Sequence, residues 1–187
     1  MNWILASGSP RRRELLEMLG VPNLTIRPAK GPERATPGAG PEQTVRELAL
    51  HKAQEVAQTC ALEDIIIAAD TIVYLDGAIL GKPKDTADAA RMLAALSGRE
   101  HTVYTGVAVL RGGETRLAAE HTAVRFRTLT PAEITRYIAT GEPMDKAGAY
   151  GIQGTGGRML VHDISGDFYN VVGLPIARVA RAIQKLS

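Results

Sequence analysis

Five consecutive apolar residues, Ile65-Ile66-Ile67-Ala68-Ala69, constrain the fold of this chain more than any other stretch. The run has strand length, opens on three β-branched residues and never alternates with polar ones. That pattern marks a strand covered on both faces, which points to layered α/β architecture. A second strand, Trp3-Ile4-Leu5, runs through the small residues Ala6-Ser7-Gly8-Ser9 into a helix with Leu15, Leu16, Met18 and Leu19 on its apolar side. Pro10 suits the first helical position, because the N–H that it lacks would have no intrahelical partner there. Ser9 before it is the natural N-cap.

The remaining punctuation extends this pattern. Gly20 and Pro22 stop the first helix, Leu24-Thr25-Ile26 reads as a short strand, and residues 28–41 form a Pro- and Gly-rich loop. Thr44-Val45-Arg46-Glu47 reads as a capping box opening a helix to about Thr59, with Lys52 near the edge of its apolar face. Asp76-Gly77 signals a hairpin turn to Ile79-Leu80. A helix is expected from Asp85 or Thr86 to Leu96, then strands His101–Leu110 and Arg116–Phe126 joined at Gly112-Gly113. Thr130 to Glu133 is a second capping box, for a helix ending at Gly141. Arg158–Asp163 reads as a last strand, and Pro175 opens a last helix. With 187 residues, no internal repeat and no dividing linker, the expectation is one mixed α/β domain spanning 1–187.

The formal net charge is only +2, so the basic character is local, concentrated at Arg11-Arg12-Arg13. Cations act against the positive end of a helix dipole, and three of them at one N-terminus fit a polyanion such as a phosphate chain. The bland alternative is a solvated basic turn. A local cluster of this kind suits a small anionic ligand better than a duplex, and the few aromatic residues show no stacking stripe, so nucleic acid is not an expected partner. Cys60 is the single cysteine, which rules out an internal disulfide and fits a reducing compartment. No apolar run approaches the roughly 18–20 residues of a membrane span, and no signal-peptide layout is visible. The expected setting is cytoplasmic.

Asp70 directly follows the buried strand, and Thr71 follows Asp70. A carboxylate at the end of a central strand is where α/β proteins place catalytic groups, although a turn-capping Asp would look the same. Lys82 lies in Gly81-Lys82-Pro83. Glu33, inside the Pro/Gly loop, could join Asp70 as hard oxygen ligands for Mg²⁺ or Mn²⁺ shared with substrate phosphates. The four histidines and Cys60 show no zinc spacing. Gly141 to Gly154 combines glycines with clustered polar groups around Tyr150, and the Gln153 amide can both donate to and accept from a base edge. No phosphate loop, dinucleotide turn or nucleophile elbow is present.

Ser7-Gly8-Ser9-Pro10-Arg11-Arg12, Ala69-Asp70-Thr71, Gly81-Lys82-Pro83, Leu96-Ser97-Gly98, Asp145-Lys146-Ala147-Gly148 and the closing stretch Ile164 to Pro175 resemble, in order and spacing, the motif set of the Maf proteins. The resemblance covers essentially the whole chain. It implies an elongated mixed β-sheet flanked by helices, shared with the inosine triphosphate pyrophosphatases. It also implies a nucleoside triphosphate pyrophosphatase with a divalent cation, a cytoplasmic location and a homodimer. Asp145 to Gly154 is similar to the subgroup acting on dTTP and UTP. Other readings are 7-methyl-GTP or non-standard purine triphosphates as substrates, or a nucleotide-binding regulator of septum formation. By the same resemblance Asp70 matches the proton acceptor, and Arg11, Thr71 and Gln153 match positions linked to substrate choice. Ser9, Arg12, Lys52 and Lys82 match polar positions around the triphosphate. Glu33 matches a family carboxylate, and with Asp70 it would hold the metal; the loop lacks the acidic residue that usually precedes that Glu.

Overall fold

Alternating strands and helices begin at once. In a computed structural model that describes residues 1–32 and 34–186, Trp3–Leu5 forms β1 and Pro10–Met18 forms α1. Leu24–Ile26 forms β2, Pro41–Ala57 forms α2 and Ile65–Leu75 forms β3. The chain continues through β4 (Ala78–Leu80), α3 (Thr86–Leu96), β5 (Glu100–Arg111), β6 (Glu114–Phe126) and α4 (Pro131–Ala139). It closes with β7 (Val161–Ser165), α5 (Phe168–Val172) and α6 (Ile176–Gln184). The seven strands join one mixed sheet in the order β2-β1-β3-β5-β6-β7, with β4 paired to β3. None of the described helices is long and apolar enough to cross a membrane.

The chain divides into two compact units. The first comprises Met1–Thr71, Thr105–Glu120 and Tyr169–Ser187, and the second comprises Ile72–Tyr104 and His121–Phe168. In the first, β1 pairs in parallel with β2 on one side and β3 on the other, with Leu5 level with both Ile26 and Ile67. The two crossovers run in opposite directions along the sheet. Right-handed connections therefore place α1 and α2 on opposite faces. The face under α2 is a dry layer of Ile4, Ala6, Ala49, Ala53, Val56, Ile66, Ala68 and Ala108. In the second unit, Asp76 and Gly77 both take positive φ (49° and 84°), the backbone of a type I′ hairpin between β3 and β4. α4 starts with the expected reciprocal capping box between Thr130 and Glu133.

Four expectations are corrected. α2 opens at Pro41 with Gly40 as N-cap, not at Thr44, and ends at Ala57 rather than Thr59. The Thr44 hydroxyl donates back to the Gly40 carbonyl (3.0 Å), while the Glu47 carboxylate turns outward to the Thr36 N–H (2.7 Å) and the Gln43 amide (2.7 Å). The Thr-x-x-Glu spacing thus lies inside a helix that Pro41 had already started. Met18 is largely exposed, and only Leu15 and Leu16 are buried on α1. The buried strand does not end at Ala69: Ile72, Val73 and Leu75 continue it, so Asp70 and Thr71 lie within β3. Finally, Gly157–Met159 is one turn of 3₁₀ helix, and the last strand starts only at Val161.

Candidate active site

The strand order reverses at β1, so its carboxyl end and that of the first part of β3 flank the point where the covering helices diverge. Open α/β sheets bind ligands at such a switch point. The Ser7–Ser9 turn leaves β1 there, tied by the Ala6 N–H to the Ile67 carbonyl (2.8 Å). The turn is organised by its own hydroxyls. Ser9 caps α1 by accepting the Arg12 N–H (3.5 Å), and the buried Ser7 hydroxyl accepts the Ser9 N–H (3.2 Å).

Arg12 does not extend into solvent. Its Nε donates to the Gly173 carbonyl (2.8 Å), one terminal nitrogen to Ser7 Oγ (3.2 Å) and the other to Thr71 Oγ1 (3.1 Å). Thr71 is hydrogen-bonded in turn to Thr105 Oγ1 (2.9 Å), whose hydroxyl donates to the Asn170 carbonyl (3.0 Å). Ser9, Arg12 and Thr71 are thus one network that links β1, α1, β3, β5 and α5. Arg13 turns away to an exposed i,i+4 pair with Glu17 (2.8 Å). Arg11 follows Pro10 in the first turn of α1, half-buried.

Strand alternation sends Asp70 to the opposite face from Thr71, toward α2. Lys52 sits on α2 between Ala49 and Ala53, at the border of the apolar stripe, and its ammonium pairs with Asp70 Oδ1. Only 18% of the Lys52 side chain and 11% of the Asp70 side chain reach solvent, so water screens this pair little. One carboxylate and one ammonium are thereby paired on the α2 face of β3, one residue along the strand from the Thr71 that holds the Arg12 guanidinium.

Lys82 and Gln153 belong to the second unit. Lys82 is exposed in the loop between β4 and α3, where the Gly81 carbonyl accepts the Gly148 N–H (3.0 Å). That bond joins the Gly81-Lys82-Pro83 and Asp145-Lys146-Ala147-Gly148 stretches. Gly148 holds φ +68°, and a Cβ there would lie 2.7 Å from Val73 Cγ2. Tyr150, fully inside, has its hydroxyl 2.7 Å from His101 Nε2 and its ring edge-on to Phe126. Gln153 is exposed on the glycine-rich segment beyond it.

Glu33 lies outside the described residues, and among those described no three His, Cys, Asp or Glu side chains come together as a metal cage. The donor chemistry still suits Mg²⁺ or Mn²⁺. Such ions are commonly held by one or two carboxylates with the rest of the shell from substrate phosphates and water, and Asp70 supplies a hard oxygen. Sequence reasoning did not single out Ser7, Thr105 or the Gly173 carbonyl as site residues. Ser7 left a signal, as a polar residue at the end of a buried strand, and Gly173 lies in the closing stretch Ile164 to Pro175, although nothing there marks its carbonyl. Thr105 becomes a partner only through the folded chain.

The sequence profile described as Maf-like protein matches residues 2–186. A dTTP/UTP pyrophosphatase of Moorella thermoacetica is 54% identical over 179 residues, covering 94% of this chain and 90% of that protein. A dTTP/UTP pyrophosphatase of Bacillus cytotoxicus is 51% identical over 184 residues, covering 98% and 95%. Among solved structures, a HAM1 protein from Coxiella burnetii superposes with a TM-score of 0.52 over 100% of both chains at 15% identity, a likeness of fold alone.

Proposed function

This chain belongs to the Maf family, and we propose that it hydrolyses dTTP and UTP to the nucleoside monophosphate and pyrophosphate. One observation carries the chemistry: the Lys52–Asp70 pair stands at the strand switch point, one residue along β3 from Thr71, which holds the Arg12 guanidinium. The relatives at 54% and 51% identity, both dTTP/UTP pyrophosphatases by name, support the substrate class.

In this reading a water molecule attacks the α-phosphorus and the bond to the bridging oxygen of the β-phosphate breaks. Lys52 orients Asp70 through Oδ1, leaving Oδ2 to take the proton from the attacking water. Pyrophosphate leaves carrying the electron pair of the broken bond. Arg11, Arg12 and Lys52 neutralise the charge that grows on it, with Ser9 as a donor, and the family likeness assigns the same role to Lys82. Thr71 acts by holding the Arg12 fork, and Gln153 reads the pyrimidine edge. A divalent cation, when bound, would offset phosphate charge and acidify a water molecule; Asp70 would hold it, joined by Glu33 on the strength of the resemblance. The cation, a cytoplasmic setting, a homodimer and a single functional domain complete the proposal, each carried by the family likeness.

The test is pyrophosphate release from a panel of nucleoside triphosphates with Mg²⁺ or Mn²⁺, run beside Asp70→Asn, which keeps the shape and removes the base. The expected outcome is monophosphate and pyrophosphate from dTTP and UTP, with the variant slower by about 100-fold or more. Undiminished release by Asp70→Asn would remove Asp70 from its role. Turnover of purine triphosphates alone would overturn the substrate.

A further inference from the structure

The glycine-rich segment after α4 is wrapped round two side chains that no step of the hydrolysis uses. Tyr137, buried on α4, donates its hydroxyl to Glu142 Oε1 (3.0 Å) and accepts the Gly151 N–H (3.2 Å). The other carboxylate oxygen of Glu142 accepts the Gly156 N–H at 3.4 Å. Lys146 braces the same turn, its ammonium donating to the Glu142 carbonyl (2.5 Å) and to the Asp145 carboxylate (2.7 Å).

The glycines pack closely around this hub and on one another. A Cβ at Gly156 would stand 2.5 Å from the Tyr137 ring, one at Gly157 would stand 2.9 Å from its hydroxyl, and one at Gly154 would run into the Glu142 carboxylate. A Cβ at Gly151 would press on the Lys146 stem at 2.5 Å. Close approach to a ring and to the Gly151 carbonyl, into which a Cβ at Gly157 would run, therefore excludes side chains at Gly156 and Gly157, whereas at Gly151 and Gly154 a side chain would push aside the flexible end of Lys146 or Glu142. The absence of side chains at these glycines leaves the segment with the greatest backbone freedom to lose. Gln153 sits between the two anchored amides. A carboxamide discriminates base edges only if its donor and acceptor are held in place. The turn over Gln153 has one backbone bond of its own, from the Gly154 N–H to the Gly151 carbonyl (3.0 Å), and the bonds to Tyr137 and Glu142 tie Gly151 and Gly156 on either side of it to the rest of the fold.

We propose that Tyr137 and Glu142 are positioning residues that set base selectivity, fixing Gly151 and Gly156 so that Gln153 is presented in the one arrangement that matches a pyrimidine edge. The proposal rests on the reading of the chain as a dTTP/UTP pyrophosphatase with Gln153 at the base. Its test compares Tyr137→Phe, Glu142→Gln and Gln153→Ala in the full chain. Two readouts are needed: amide hydrogen exchange over 151–157, and the ratio of kcat/KM for dTTP to that for dGTP. Both hub variants should speed exchange at Gly151 and Gly156 about tenfold, the scale of one lost hydrogen bond, and should lower the dTTP preference in the same direction as Gln153→Ala. Glu142→Gln keeps the test open should the buried phenol be needed for folding. Unchanged exchange in the hub variants overturns the proposal. So does a ratio that Gln153→Ala shifts and they do not. A ratio that none of the three shifts overturns it together with the assignment of Gln153.

Discussion

Arg12 shows how much of this site depends on one planar group. Its guanidinium meets three oxygens in different directions: Gly173, Ser7 and Thr71. A rigid fork can satisfy all three together, whereas an ammonium is a point charge on a flexible stem. Arg12→Lys keeps the charge and loses the geometry. We expect kcat/KM for dTTP to fall at least tenfold, with about 1–2 kcal/mol of stability lost as the bonds to Ser7, Thr71 and Gly173 are left incomplete. Steady-state kinetics beside urea unfolding would check both, and unchanged kcat/KM would take Arg12 out of the site. The local half of this arrangement is legible in the sequence. Ser9 and Pro10 declare a capped helix start because capping is decided within a few residues. The other half is not, since Thr71 and Gly173 lie 59 and 161 positions from Arg12.

Elements were legible where a local signal was unopposed and misread where a longer-range partner intervened. The two hairpin turns, Asp76-Gly77 and Gly112-Gly113, have positive φ at both positions, as their sequences demand. Thr44-x-x-Glu47 has the spacing of a helix start, yet Glu47 is engaged by Thr36 of the loop before the helix. Gly106 is a clearer case. It sits inside β5, with nothing in its neighbours to mark it as special. There, however, a Cβ would collide with the Val45 carbonyl of α2 and lie 2.7 Å from the Arg46 nitrogen. Helix backbone packs directly on strand backbone at this point, which is also what lets α2 carry Lys52 down onto the sheet. Backbone cannot swing aside as a side-chain tip can. Gly106→Ala should therefore cost at or above the roughly 3 kcal/mol upper end of ordinary overpacking. A denaturant midpoint close to that of the parent protein would show that α2 does not need this approach.

At the scale of the whole molecule, the mixed α/β class follows from one unalternating strand, but the strand order that creates the switch point depends on pairings no local pattern encodes. The same holds for the interior of the second unit. His101 reads in the sequence as the first residue of a strand; in the fold it is buried, edge-on to Phe126 and Tyr150, with Nδ1 lacking any hydrogen-bond partner among the described residues. Burial pulls its pKa from 6.5 down to about 4. Between those values the unfolded chain binds a proton that the folded chain refuses, so stability rises with pH across this window. The contribution is complete above pH 6.5 and is lost as pH falls toward 4. Carboxylates held low by hydrogen bonds, among them Glu47, Glu55 and Glu133, start to cost stability only as acid reaches the ordinary carboxylate range near 4.5. The interval from pH 6.5 to 5 therefore isolates the histidine. The slope starts at about half of 1.36 kcal/mol per pH unit, where the unfolded histidine is half protonated, and steepens below, so the parent protein should lose about 1.6 kcal/mol there. His101→Gln, which stays neutral and can still meet the Tyr150 hydroxyl, should be nearly flat over the same interval. Urea unfolding at several pH values separates the two, and parallel curves for parent and variant would mean that some other group carries the acid sensitivity.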